Sequence, residues 1–324
     1  MNVMEALATT LADALRDDTR RVLLGEDVTT GGMLGLSRRC ADDPELRPRL
    51  LSLPLLPATA AAHAGGLALA GLRPIVLLGG VAPLLEGLAG LRELALGALR
   101  SNGERAAPVL FVAPCGPGFG TGADALDAPE TALLHTAGLR VVVVGRAHEA
   151  VAMLQAAADF EAGEEPTVLL VPRMLLATVL DDEAASPLSR PFGAPAVVRD
   201  GTHDAQRVVV FTWGECVDVS LAACDAAEID ARVIDIGTLQ PLALDTLVEA
   251  ARDAGRIAIV HAGPRHHGAG AELAATFADR AIHYLDAPIL RVCGDEGVLS
   301  GTRELLAIPS IERVGAALQT LASP

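Results

Sequence analysis

Short runs rich in Val, Ile and Leu alternate along this chain with longer Ala/Leu-rich stretches of helical spacing, and that alternation restricts its fold more than any other feature. Strands that are apolar on both faces must be covered on both faces, and the crossover helices of a parallel sheet supply that cover. The expected class is therefore α/β. Candidate strands lie at 21–24, 72–78, 108–113, 139–144 and 167–171, with helices expected at 58–70, 84–100 and 148–160. Segment 182–198, DEAASPLSRPFGAPAVV, then carries three prolines with Ser and Gly and no sustained period, which suits a linker crossing the surface. A second set follows, with strands expected at 207–211, 232–236, 256–261 and 289–292 and helices at 217–227 and 269–278. The expected organisation is a first domain at 1–185, a linker at 186–198 and a second domain at 199–324, since a chain of 324 residues exceeds what one core supports.

Composition removes several function classes. Although 51% of residues are hydrophobic, Arg, Gly, Pro or acids interrupt every apolar run before the roughly 18 to 20 residues of a membrane span. The opening MNVMEALATTLADALRDD has acids where a secretory leader needs positive charge, so a cytoplasmic location is expected. A net charge of −16 opposes binding to a phosphate backbone, and no nucleic-acid partner is expected. Every basic residue is Arg, which excludes Schiff-base and P-loop chemistry because both need Lys. Cys40, Cys115, Cys216, Cys224 and Cys293 have no metal-ligand spacing and read as small buried hydrophobes in a reducing compartment; no metal site is expected in this chain.

Six blocks, in order along the chain, carry a resemblance. LLGEDV at 23–28, AGLRPI at 70–75 and AGLRVVV at 137–143 are similar to the first domain of β subunits of thiamine-diphosphate-dependent 2-oxo acid dehydrogenase E1 components, in the transketolase superfamily. IDIGTLQPL at 234–242, VHAGPRHHGAGAELAA at 260–275 and YLDAPILRV at 284–292 resemble the second. The resemblance implies a pyrimidine-binding-like domain followed by a transketolase C-terminal-like domain. It also implies a β2 core joined to an α-like E1 subunit, association with an acyltransferase core, and thiamine diphosphate with magnesium held at the α/β interface. The family's metal motif, GDG with a following Asn, is absent here: Asn2 and Asn102 are the sole asparagines. Any cofactor would therefore need the partner.

The same comparison locates what this chain lacks. In the family a glutamate hydrogen-bonds the aminopyrimidine and promotes formation of the thiazolium ylide, which is general acid/base work by a positioned carboxylate. Counting back from AGLRPI puts Pro57 at its place, a residue suited to the first turn of a helix. Val81 and its neighbours stand where the family presents an aromatic ring to the pyrimidine. The family's Asp-Gln pair becomes Ala89 and Gly90, and its His-Ser-Gln segment becomes Ala125, Leu126 and Asp127. Glu26 and Asp27 match the family's acidic pair near the cofactor channel, and a turn or helix cap explains them equally well.

Other polar residues have ordinary explanations. His135 matches a family histidine, and helix packing accounts for it as readily as a site does. His63 is the one ionisable group of its Ala/Gly helix, open to a role in the vacated pocket or to plain exposure. His266 and His267 are adjacent, so their imidazoles diverge and a shared metal would need a third ligand. The loop GPGFGTG at 116–122 follows a strand without dinucleotide-loop spacing and reads as a flexible family loop. The sequence thus leads to a β-like subunit acting in assembly without competent cofactor activation in this chain. Two rivals stay open: an active decarboxylase or dehydrogenase using an unusual acid, and a stand-alone homo-oligomeric scaffold.

Overall fold

The computed structural model describes residues 1–104, 108–118, 120, 128–159, 165–180, 190–201, 208–297 and 301–323. Its chain opens with α1 (Val3–Asp17), started by a capping box in which the Asn2 side chain accepts from Glu5 N and Glu5 accepts from Asn2 N. The first sheet contains β1 (Arg21–Gly25), β2 (Leu50–Ser52), β3 (Arg73–Leu77), β4 (Leu110–Cys115), β5 (Arg140–Val143) and β6 (Thr167–Pro172). These six strands pair in parallel. Every residue of β1, β4 and β6 is buried, as expected for strands covered on both faces.

Helices α2 (Arg38–Ala41), α3 (Pro57–Leu69), α4 (Val81–Glu86), α5 (Leu88–Arg100), α6 (Glu130–Leu134), α7 (Ala150–Ala158) and α8 (Arg173–Leu176) complete this half. The second sheet holds β7 (Ala196–Arg199), β8 (Val208–Thr212), β9 (Arg232–Asp235), β11 (Arg256–His261) and β12 (Leu290–Cys293), in the order β12-β11-β8-β9-β7. Helices α9 (Cys216–Ala226), α10 (Leu244–Ala254), α11 (Ala269–Ala281) and α12 (Ile311–Ala322) flank it. The two-domain α/β expectation is met.

Four details differ from the sequence reading. The helix expected at 84–100 is two, α4 and α5, broken at Gly87, where an added Cβ would lie 3.2 Å from the carbonyl oxygens of both Pro57 and Pro83. The break brings the α3 start and the α4/α5 junction into direct contact. The helix expected at 148–160 begins as a 3₁₀ turn at Ala147–Glu149, and Phe160 lies outside the described residues. The end of the segment expected as a linker is strand: β7 pairs antiparallel with β9, while 182–189 and Arg207 lie outside the described residues.

The fourth difference couples the domains. TLQ, within the block assigned to the second domain, forms β10 (Thr238–Gln240), which joins the first sheet antiparallel to β5 and gives the order β10-β5-β6-β4-β3-β1-β2. The crossing is made at Gly237, whose positive φ of 67° turns the chain away after β9. One apolar cluster consequently runs through both halves, containing Phe111 and Val141 with Phe211, Trp213, Leu239 and Phe277. A polar clasp reinforces it: Arg190 donates to Glu149 (2.8 Å) and to Asp235 (3.1 Å), and Asp235 is fully buried. Burial pushes the Asp235 carboxyl up to about 6 despite the Arg190 charge.

Candidate functional site

The carboxyl ends of β1, β2 and β3 open into a narrow crevice, the position where parallel sheets characteristically place ligands. Gly25 and Glu26 line it from β1, Leu53 and Pro54 from the end of β2, Leu77 and Gly79 from β3, and Pro57 and Ala60 from α3. Its two sides lie close because Gly25 has no side chain; a Cβ there would fall 2.4 Å from the Leu77 carbonyl oxygen. The free volume is about 20 Å³, room for one water, whereas small-molecule sites run to roughly 300–1,000 Å³.

Two of the residues singled out in the sequence meet here. Pro57 begins α3, where its missing N–H costs no helix hydrogen bond, and it presents only carbon to the crevice. Glu26 is half-buried and contributes the one carboxylate among the residues lining it. Asp27 is next in sequence but exposed, with φ of 49°; its backbone carbonyl accepts from Thr30 N and Gly32 N at 2.8 Å. It therefore shapes the turn after β1 and does not line the crevice. Val81 is fully buried at the start of α4, in the core.

The glycine at position 90 has a packing explanation. An added Cβ at Gly90 would lie 2.7 Å from the Ala61 Cβ and 2.9 Å from the Ala58 carbonyl oxygen, and one at Gly65 would lie 2.2 Å from a Leu94 methyl. Helices α3 and α5 thus pack so closely at Gly90 and Gly65 that neither position admits a side chain. Ala89 is exposed.

The histidines do not converge on this site. His63 is exposed on α3, as its plain-exposure reading has it, and His135 is exposed at the end of α6, where helix packing does not describe it. His266 is exposed and its Nδ1 pairs with Glu296 at 2.6 Å, while His267 occupies a turn at φ 58°. Among the described residues no group of three or more His, Cys, Asp and Glu could hold a metal ion. Ala125, Leu126 and Asp127 lie outside the described residues. In the Gly-rich loop, Gly118 N (3.1 Å) and Gly120 N (2.9 Å) both donate to Glu304 of the second domain.

A second polar cluster sits between the domains and was not singled out in the sequence. The buried Glu130, at the start of α6, accepts from Trp213 Nε1 at 3.0 Å, and the indole stacks on His261 at 4.9 Å between centroids. Glu215 follows Trp213 at the start of α9. Its members come from α6, the turn between β8 and α9, and β11, three segments far apart in sequence, so no motif spacing could reveal the cluster. All five cysteines are buried and free. Among the described residues no helix is long and apolar enough to cross a membrane.

Comparison with known proteins fits this architecture. Residues 1–178 match the family described as "Transketolase, pyrimidine binding domain" and 197–311 that described as "Transketolase, C-terminal domain". The chain is 30% identical to a 2-oxoisovalerate dehydrogenase subunit beta of Pseudomonas aeruginosa, over 98% of this chain and 94% of that one. It is 31% identical to a 3-methyl-2-oxobutanoate dehydrogenase subunit beta of Mycobacterium tuberculosis (97% and 90%). Identity is 30% to a pyruvate dehydrogenase E1 component subunit beta of Staphylococcus epidermidis (94% and 92%). A split-gene transketolase described as an inactive β4 tetramer shares the fold at a TM-score of 0.69 and 20% identity, covering 100% of this chain and 99% of that one. With its full-length similarity and both domains in place, the chain belongs to the transketolase-like family of E1 β subunits of 2-oxo acid and pyruvate dehydrogenases.

Proposed function

We propose that this chain is an E1 β-type subunit that joins an α-type partner and contributes assembly, without activating thiamine diphosphate in its own half of the site. The observation that carries this reading is Pro57 at the start of α3, lining a crevice of about 20 Å³ whose lining residues are otherwise apolar apart from Glu26. The residues present do not fit an activated aminopyrimidine. No carboxylate stands at the helix start, Val81 is turned into the core where an aromatic ring would be needed, and α3 has closed against α5. Large apolar side chains left exposed at Leu55, Leu56, Leu69 and Leu99, on and around α3 and α5, support a role in association.

Titration calorimetry of thiamine diphosphate with magnesium, into the chain alone and into its complex with an α-type subunit, tests the proposal. The expected result is a complex by size measurement and no proton exchange at thiazolium C2 by NMR. Absence of a complex, or C2 exchange in it, would overturn the reading. One observation favours a second reading, in which the chain is active through a relocated acid: Glu26 shares the crevice with Pro57. In that case C2 exchange occurs in the complex and disappears in Glu26→Gln.

A further inference from the structure

We infer that the cavity between the two domains is a proton-binding site, in which a proton held by Glu215 against Glu130 keeps the domains latched together. The cavity has a volume of about 20 Å³ and is lined by Cys115, Gly116 and Glu130 of the first domain and by Trp213, Glu215 and Gly263 of the second. It belongs to neither the crevice at β1–β3 nor the proposed assembly role.

Both carboxylates are buried, with 8% of Glu130 and 9% of Glu215 exposed, and they approach the cavity from opposite domains. Glu130 is held by the Trp213 N–H of the other domain. Glu215 stands so close to Gly116 that a Cβ there would meet its Oε1 at 2.9 Å, and no described residue outside its own backbone hydrogen-bonds its carboxyl. Two ionised carboxylates lining one buried cavity repel, and each also loses much of its hydration.

Among the described residues lining the cavity none carries an offsetting positive charge. The Cys115 thiol, at the end of β4, and the Cys216 thiol, in α9, are pushed well above the ordinary range by burial and by the two glutamates. His261 at the end of β11 is neutral: burial pushes it down to about 4, and its Nδ1 lies 2.6 Å from the Ala262 carbonyl oxygen, which can only accept. Nδ1 therefore carries the proton, and Nε2 accepts from the Cys293 thiol at 3.3 Å. Arg173 on α8, which is not among the lining residues, donates to the Gly116 carbonyl oxygen at 3.1 Å. Burial, followed by the Glu130 charge, pushes Glu215 up to about 7 from its ordinary 4.5. A carboxyl raised by folding stabilises the closed seam fully below its unfolded pKa, and that contribution is lost as pH rises through the folded value. The latch is closed in acid and loosens above neutrality.

Trp213 is the single tryptophan of the chain and touches the latch directly, so its fluorescence reports on this seam alone. The test is a fluorescence titration of the full chain from pH 5 to 9, with thermal melting at each pH. A transition centred near pH 7, with a lower melting temperature on its alkaline side, is expected, and Glu215→Gln should abolish both while melting normally at pH 8. Glu130→Gln, which removes the opposing charge, should move the midpoint to lower pH. A wild type with no transition between pH 6 and 8, a transition that survives in Glu215→Gln, or a midpoint unmoved in Glu130→Gln would overturn the inference.

Discussion

The crevice at the ends of β1–β3 and the seam between the domains both lie at the carboxyl ends of parallel strands, yet they hold opposite chemistry. In the crevice Pro57 lies beside leucines and a single half-buried carboxylate, with an exposed apolar rim at Leu55 and Leu56. In the seam a buried glutamate, an indole and an imidazole are locked by a hydrogen bond and stacking, beside a second buried glutamate, Glu215. The contrast teaches that polar side chains are concentrated here where domain is joined to domain, and are sparse in the crevice at the ends of β1–β3.

The largest expected effect comes from cutting the clasp beside the seam. Arg190→Ala leaves the fully buried Asp235 without its counter-charge, and removing one partner of a buried pair costs about 3–5 kcal/mol. Chemical denaturation at pH 7 should read that loss; a change under about 1 kcal/mol would mean that the clasp behaves as a surface pair. Next comes the pH dependence of the seam. The Glu215 carboxyl moves from 4.5 to about 7 on folding, so stability on the order of 3 kcal/mol should disappear between those pH values as pH rises. Denaturation midpoints of wild type and Glu215→Gln should diverge accordingly, the variant gaining relative stability at pH 8.

Smaller effects are expected in the crevice. Pro57→Glu keeps a residue acceptable in the first turn of α3, where a carboxylate favours the helix dipole while the loss of Pro frees the unfolded chain. The two effects nearly cancel, leaving stability within about 1 kcal/mol of wild type. A loss above about 2 kcal/mol in thermal melting would show that Pro57 is built into the core. The smallest effect belongs to Glu26→Gln, because the half-buried carboxylate holds no element in place. Its melting should move by less than about 0.5 kcal/mol, and a larger change would erase the distinction between the apolar crevice and the structural seam.

Much of the architecture was legible in advance. The strand runs at 256–261 and 21–24 and the helix starting at 269 could be read because a buried parallel strand is apolar throughout and its crossover helix is amphipathic. Pro57 and Glu26 could be placed at one site from block order, and the structure puts both in one crevice. For Asp27 and His63 the sequence left two readings open, and the structure shows a turn for the first and plain exposure for the second, while Val81 lies in the core and His135 is exposed. Whether a side chain lines a pocket, shapes a turn or enters the core depends on its backbone angle and its neighbours: Asp27 turns on φ 49°, and Val81 follows a glycine at φ 153°.

The sequence by itself determined the α/β class, the two domains and a proline, Pro57, at the start of α3, since each rests on local periodicity or on residue identity in a continuous block. Tertiary structure alone decided that β10 crosses to the first sheet, that α3 and α5 close on Gly90, and that Glu130, Trp213, Glu215 and His261 meet. Those contacts join residues distant along the chain, and their energies depend on burial and facing charge, which no stretch of sequence carries within itself.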